Sequence, residues 1–288
     1  MARLLEVEPV APGFKRYLLR EPVVARKHRA GQFVIVLLHD HGERIPLTVA
    51  DADPDAGTIL LVVQEVGKTT MEMGLLQPGD SIVVMGPLGR PTHIERWGRC
   101  ACVGGGAGIA PLLPIARALR EAGNEVVSIL GGRTKDLVIL REEMEAASSA
   151  VRYTTDDGSF GRKGLVTHAL DDLIKEDPPT EMVIAIGPAI MMRAVAELTR
   201  PFGISTFVSL NTIMVDGTGM CGGCRVDVGG EMRFVCVDGP EFDAHKVNFD
   251  LLMKRQRIYL EQEEKARRRF TNSNRSGCAS RGVVSHVS

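Results

Sequence analysis

The residues best placed for chemistry are three of the chain's six cysteines, which stand close together in Asp216-Gly-Thr-Gly-Met-Cys221-Gly-Gly-Cys224 followed by Cys236. The spacing is D-x4-C-x2-C-x11-C. With cysteine at Asp216 it would be the C-x4-C-x2-C…C pattern that holds a two-iron, two-sulfur cluster. Thiolates suit iron because they are soft and anionic, and glycine-rich turns let backbone N–H groups face cluster sulfurs. Gly217, Gly219, Gly222 and Gly223 meet that need. Three thiolates leave one iron a ligand short, and Asp216 offers an oxygen where the spacing expects the missing ligand. Two other readings stand beside this one. Structural zinc prefers a closed tetrahedral set, often from paired C-x2-C knuckles, of which the segment has one. A turn with three free thiols is the plainest alternative. Cys100 and Cys102 sit two apart on an expected strand, share a face and are expected to pack as small hydrophobes. Cys278 lies in the polar tail and carries no expected role.

A second group of residues suits dinucleotide binding. Gly104-Gly105-Gly106-Ala107-Gly108-Ile109-Ala110 stands where a strand feeds a helix, and glycines there allow a pyrophosphate to approach a helix N-terminus. The run departs from G-x-G-x-x-G, so a packing turn remains open. Two further loops follow expected strands: Gly131-Gly132-Arg133-Thr134-Lys135-Asp136 and Gly187-Pro188-Ala189-Ile190-Met191-Met192. Arg133 and Lys135 have the charge to hold a ribose 2′-phosphate and so favour NADPH, although exposed basic residues after a strand are commonplace. Asp156-Asp157-Gly158-Ser159 is read as a polar turn and not as an acid–base pair.

A third group comprises Arg44-Ile45-Pro46-Leu47-Thr48 on an expected strand and Gly67-Lys68-Thr69-Thr70 before a short helical run. The latter could offer N–H groups to a phosphate.

These residues need elements to hold them. Short apolar runs such as YLLR, QFVIVLL, TILLVVQEV and DSIVVMGPLG alternate with Gly and Pro over residues 1–97, as in a small antiparallel β-barrel. Over 98–208 strands alternate with helices: CACVGGG, then an amphipathic helix, EVVSILGG, Val151 to Thr154, a helix from Leu165 to Lys175, and MVIAIG. That alternation predicts an α/β domain with a parallel sheet. Residues 209–245 form a small cluster module, 246–270 a charged C-terminal helix, and 271–288 a disordered tail. The expected fold is therefore β followed by α/β: barrel, parallel-sheet domain, cluster module and C-terminal helix.

Composition sets limits. Hydrophobic residues are 44% and charged residues 25% of 288, as in a soluble globular chain. With 35 basic and 36 acidic residues there is no general attraction to nucleic acid or anionic lipid. No apolar run approaches the roughly 20 residues of a membrane span. The first residues lack a signal peptide's apolar core and cleavage site, so a cytoplasmic chain is expected.

Barrel, glycine-marked α/β domain and cluster loop together resemble the ferredoxin-NADP reductase superfamily. Within it they are similar to small subunits that carry FAD and a 2Fe-2S cluster: the α subunit of NADH-dependent NADP-ferredoxin oxidoreductase, the β subunit of sulfide dehydrogenase and the electron-transfer subunit of dihydroorotate dehydrogenase. The resemblance covers residues 1–262, and IMVDGTGMCGGCRV with FVCVDGPEF is its most specific part. It implies that Asp216, Cys221, Cys224 and Cys236 ligate the cluster. It also implies that Arg44 meets the flavin's phosphate side, that Thr48 lies near flavin N5, and that Gly67, Thr69 and Thr70 cradle the pyrophosphate. Pro46, Leu47, Val62 and Gln64 complete the flavin set. The usual pattern has an aromatic at Leu47, and many relatives have cysteine at Ile186, so neither ring stacking nor thiol assistance is expected at those places.

The implied function is electron transfer between NAD(H) or NADP(H), FAD and a 2Fe-2S cluster, with no side chain as nucleophile. A single cluster calls for a next carrier. A larger partner subunit with further flavin or iron–sulfur centres is therefore expected, with ferredoxin reached through that complex. An NADP-ferredoxin oxidoreductase or sulfide dehydrogenase assembly is preferred to a dihydroorotate dehydrogenase, whose electron-transfer subunit more usually shows four cysteines. A non-catalytic redox sensor using the same cofactors is the alternative of a different class, and no output domain is apparent for it.

Overall fold

The computed structural model describes residues 1–275. Six strands close into a barrel: β1 (Ala2–Ala11), β2 (Phe14–Arg20), β3 (Phe33–Leu37), β4 (Ile45–Asp53), β5 (Thr58–Gln64) and β6 (Ser81–Leu88). Their order is β1-β2-β5-β4-β3-β6, every neighbouring pair is antiparallel, and closure leaves no unpaired edge. Strand periodicity explains what each face does. On β5 the side chains of Ile59, Leu61 and Val63 turn into the barrel core, so Leu60, Val62 and Gln64 must face outward. Two short helices, α1 (Pro22–Lys27) and α2 (Lys68–Met73), seat Val24, Ala25 and Met73 in the same core.

The second sheet begins at β7 (Arg99–Gly105). It continues through α3 (Ile109–Glu121), β8 (Glu125–Gly132), α4 (Arg141–Ala147), β9 (Ala150–Thr155), β10 (Arg162–Lys163), α5 (Val166–Ile174), β11 (Thr180–Ile186), α6 (Ala189–Thr199) and β12 (Ser205–Ser209). Helices cover both faces, which is why β7 reads as an unbroken run of small and apolar residues. Cys100 and Cys102 are fully buried toward α3 and α4, whereas Ala101 and Val103 face α5 and α6. The two cysteines thus pack as expected, and burial pushes the Cys100 thiol up to about 12.

After β12 come a hairpin of β13 (Arg225–Val228) and β14 (Glu231–Phe234), the single turn α7 (Val235–Asp238) and β15 (Glu241–Asp243). Strand β15 pairs antiparallel with β12 and completes the sheet order β10-β9-β8-β7-β11-β12-β15. The region expected to be a separate module therefore shares the sheet, and Cys224, Val226, Val235 and Cys236 belong to the same continuous core as the inner residues of α5 and α6.

The C-terminal helix expected over 246–270 is instead two helices, α8 (Phe249–Gln256) and α9 (Leu260–Arg275). The break at 257–259 has a packing cause. Phe249 and Leu252 anchor α8 against α6 and β13, while the strongly polar α9 turns away to reach α2. Residues 271–275, expected in the tail, continue α9; residues 276–288, with Cys278, lie outside the described residues. Among the described residues no helix is long and apolar enough to cross a membrane.

Candidate functional site

From β7 the chain moves through β8 and β9 to one side and then returns to place β11 and β12 on the other. Such a reversal opens a crevice at the carboxyl ends of the strands, where ligands of α/β sheets collect. Here the barrel closes one side of that crevice, forming a cleft of about 1090 Å³.

The two sets of glycines and barrel residues meet in this cleft. Pro46, Leu47, Thr48, Val62 and Gln64 line it from the barrel. Gly105, Gly106, Gly108 and Ala110 line it from the β7–α3 turn. Arg133 enters from the β8 end, and Gly187, Pro188 and Met191 enter from the β11–α6 turn. Gly104 and Ile109 lie buried behind the wall, where a methyl on Gly104 would press on Ile109 and Leu112 at 3.1 Å. Gly104 therefore serves helix packing.

Several expected residues lie off the wall. Arg44 is exposed just before β4. Thr69 is buried and donates to the Glu43 carboxylate at 2.5 Å. Thr70 accepts from the amides of Val66 and Gly67, both at 3.0 Å, and so closes the turn before α2. Space is open beside Gly67, where a side chain would meet nothing within 4 Å. Thr134 and Lys135 also lie off the wall. The Lys135 amide donates to Ser159 Oγ at 2.8 Å, and its ammonium sits 5.8 Å from the centre of the Phe160 ring.

The sequence reading passed over other lining residues. Phe14 and Phe33 border the cleft from the core, both nearly fully buried, and Phe33 faces Thr48 directly across β3 and β4. Asp156, read as a turn residue, lines the cleft beside Arg133, while its neighbour Asp157 accepts from the Ser159 amide and hydroxyl, as a turn requires. Asn211, Met214, Pro240 and Gln256 come from the region around the cysteine motif. Met214 stands two residues before Asp216, a proximity that the sequence already contained.

The cysteine loop is pressed against the barrel. Gly217 has φ +72°, and a side chain there would overlap Leu88 and Ile35 of β6 and β3. Asp216 and Cys221 form one pair, in which the carboxylate accepts the Cys221 amide at 2.7 Å and the Thr218 amide at 2.9 Å. These amides, Thr218 foremost, hold the Asp216 carboxyl below its usual range. Cys224 and Cys236 form the second pair, with sulfurs 3.2 Å apart. Burial pushes the Cys236 thiol up to about 12, helped by the Cys224 thiol beside it, so Cys236 keeps its proton unless a cation displaces it.

Among the described residues no three His, Cys, Asp or Glu side chains converge on a single point. A two-iron cluster takes two ligands on each iron, and the four residues fall into two groups: Asp216 and Cys221 in the glycine-rich turn, joined through the Cys221 amide, and Cys224 and Cys236 meeting across the β13–β14 hairpin.

Comparison with known proteins places the same two regions in known families. Residues 211–248 match the iron-sulfur cluster binding domain of dihydroorotate dehydrogenase B, and residues 102–197 match the oxidoreductase NAD-binding domain. A dihydroorotate dehydrogenase B (NAD(+)) electron transfer subunit homolog from Thermotoga maritima is 51% identical over 255 residues, covering 88% of this chain and 90% of the relative. A probable electron transfer subunit of the same enzyme from Methanopyrus kandleri is 36% identical, covering 74% and 78%. The solved structure of an NADH-dependent reduced ferredoxin-NADP oxidoreductase, studied for flavin-based electron bifurcation, superposes with a TM-score of 0.89. It is 47% identical, over 94% of this chain and 98% of that one.

Proposed function

Because this chain belongs to the family of dihydroorotate dehydrogenase B-type electron-transfer subunits, with a ferredoxin-NADP reductase-like fold, we propose that it carries electrons from a nicotinamide dinucleotide to a partner subunit. FAD, a 2Fe-2S cluster and NAD(H) or NADP(H) are its cofactors. When bound, they supply hydride acceptance at the flavin and single-electron transfer at the cluster, while the protein supplies position and electrostatics.

Each part of the cleft has a task in this reading. Thr48, Leu47, Pro46, Val62 and Gln64 hold the flavin on the barrel side, backed by the buried Phe14 and Phe33. Arg44 and the open space beside Gly67 would take its phosphates outside the cleft, while Thr69 and Thr70, bonded to Glu43 and to the Val66 and Gly67 amides, shape the turn that presents them. The β7–α3 and β11–α6 turns hold the nicotinamide dinucleotide, and Ala107 and Ile190 guard the mouth. Asp216 and Cys221 would hold one iron, and Cys224 and Cys236 the other.

The observation that carries the proposal is continuity: Met214 lines the cleft, and two residues later Asp216 begins the cluster loop, which Gly217 seats on the barrel wall. Electron donor and acceptor sites therefore share one wall. The test is anaerobic purification with flavin, iron and labile-sulfide assays, and spectra before and after NADH or NADPH. The proposal expects one FAD, two irons and two sulfides per chain, reducible by a pyridine nucleotide. Zinc without sulfide, or a chain that takes up no flavin, would defeat it.

For the assembly, Asp216 in place of a fourth cysteine supports an NADP-ferredoxin oxidoreductase or sulfide dehydrogenase type, as does the likeness to the bifurcating oxidoreductase. The Thermotoga maritima relative supports the dihydroorotate dehydrogenase type. Copurifying the native complex and assaying orotate formation separates them, with strong activity favouring the second.

A further inference from the structure

The last two residues of α8 reach the cluster loop at widely separated points. Arg255 donates through Nη2 to the Gly223 carbonyl at 3.1 Å, between Cys221 and Cys224. Gln256 donates through Nε2 to the Asn211 carbonyl at 2.6 Å, where the segment leaves the sheet. Gly223 in turn points its amide at Cys221 Sγ, 3.4 Å away. One glycine thus joins a guanidinium to a ligand sulfur, and one helix end spans the loop from Asn211 to Gly223.

The helix that carries these side chains is itself well fixed. Asn248 caps it by accepting the Leu251 amide at 3.0 Å and also donates to Asp227 at 2.9 Å, while Phe249 and Leu252 are buried. Arg255 is half-buried, so its charge is less screened than that of the exposed Arg257 two residues on.

We infer that the end of α8 is a clamp on the cluster loop, in which Arg255 and Gln256 are positioning residues and the Arg255 charge favours the reduced state of the cluster. This deepens the proposed function and rests on it. The physical ground is that reduction would make the cluster as a whole one charge more negative, and a nearby fixed cation stabilises the more negative state. Arg255 also meets Gly223 with directed N–H groups, which a lysine ammonium reproduces in charge but not in geometry.

The test uses the full-length chain, purified anaerobically and reconstituted with iron and sulfide. It reads metal and sulfide content, the electron paramagnetic resonance line shape and the cluster midpoint by redox titration. Arg255→Gln should make the loaded cluster harder to reduce by about tenfold, or ~59 mV for a one-electron couple. Arg255→Lys should stay near the wild-type midpoint but show an altered line shape, and this variant carries the test if Arg255→Gln fails to load. Gln256→Ala should broaden the signal without moving the midpoint, and Arg257→Gln should match wild type. A wild-type midpoint and line shape in both Arg255 variants overturns the inference while leaving the proposed function standing. An equal shift in Arg257→Gln also overturns it, because the effect would then be one of general charge. A wild-type chain without labile sulfide overturns both.

Discussion

Cys224 and Cys236 bring their sulfurs to 3.2 Å of each other from opposite ends of the β13–β14 hairpin. The hairpin is therefore the device that turns a long sequence gap into a close pair of thiols, while Asp216 and Cys221 are joined by a local turn. If each pair holds one iron, Cys236→Ser should lose the cluster although the flavin stays. Asp216→Cys should keep it and lower its potential, since a thiolate donates more charge to iron than a carboxylate. Iron and sulfide assays with a redox titration check both. A cluster of unchanged potential in Asp216→Cys would argue that Asp216 is no ligand.

Nucleotide preference should follow the charges on the cleft wall. Arg133 lines it, but Asp156 lines it beside Arg133, and Lys135 is turned to Phe160. A 2′-phosphate would meet Asp156 as a like charge, so NADH should be the better donor by kcat/KM. Asp156→Asn should narrow that preference by roughly tenfold, about the value of one partly screened charge pair. An unchanged ratio in steady-state reduction of an artificial acceptor would place the ribose elsewhere.

Two half-buried groups should tilt stability with pH in opposite directions. Burial pushes Glu241, which accepts the Thr92 hydroxyl at 2.6 Å, up to about 7. The folded state then binds its proton more tightly than the unfolded chain, so stability falls as pH rises from about 4.5 through about 7 and is flat above. Burial drives His28 down to about 4 despite the Asp51 carboxylate, and its Nε2 has no partner. Its contribution is lost as pH falls from about 6.5 through about 4. Each effect is on the order of 3 kcal/mol at most. Thermal melts across pH 4 to 9 should show Glu241→Gln gaining Tm above pH 7 and His28→Gln gaining it below pH 5. Parallel profiles for wild type and both variants would refute the assignment.

How far the sequence disclosed this arrangement differs from place to place. Regular periodicity made the β5 strand and the β7–α3 unit legible, because alternation and a glycine turn are local signals. The D-x4-C-x2-C spacing was legible for the same reason. What was not legible depends on contacts between distant segments. Glu241 to Asp243 join the main sheet only because β12 offers an edge, and nothing in three residues announces that. The bend between α8 and α9 lacks Gly or Pro and follows from different partners, α6 for one helix and α2 for the other. Asp156 has a turn's composition and also borders the cleft, so local chemistry alone hid its second role.

The glycines of the β7–α3 turn are not equivalent, and their differences predict separable defects. Gly108 has an ordinary φ of −67°, but an added methyl would lie 2.1 Å from the Ile186 carbonyl oxygen, a backbone atom that cannot move aside. Gly108→Ala should therefore cost about 1–3 kcal/mol by forcing β11 away from α3. At Gly105 the obstacle is Met191 Sδ at 2.5 Å, a flexible side chain, so Gly105→Ala should change Tm little. Gly106 has φ +56° with nothing within 4 Å of the added methyl. Its alanine variant should lose about 1 kcal/mol to backbone strain and keep its fold, but it should bind NADH more weakly, because the methyl projects into the space a pyrophosphate would take. Melting curves and NADH titrations on the three variants give the pattern. A Gly106→Ala chain with wild-type NADH affinity would move the dinucleotide off this turn and leave its glycines with packing as their whole purpose.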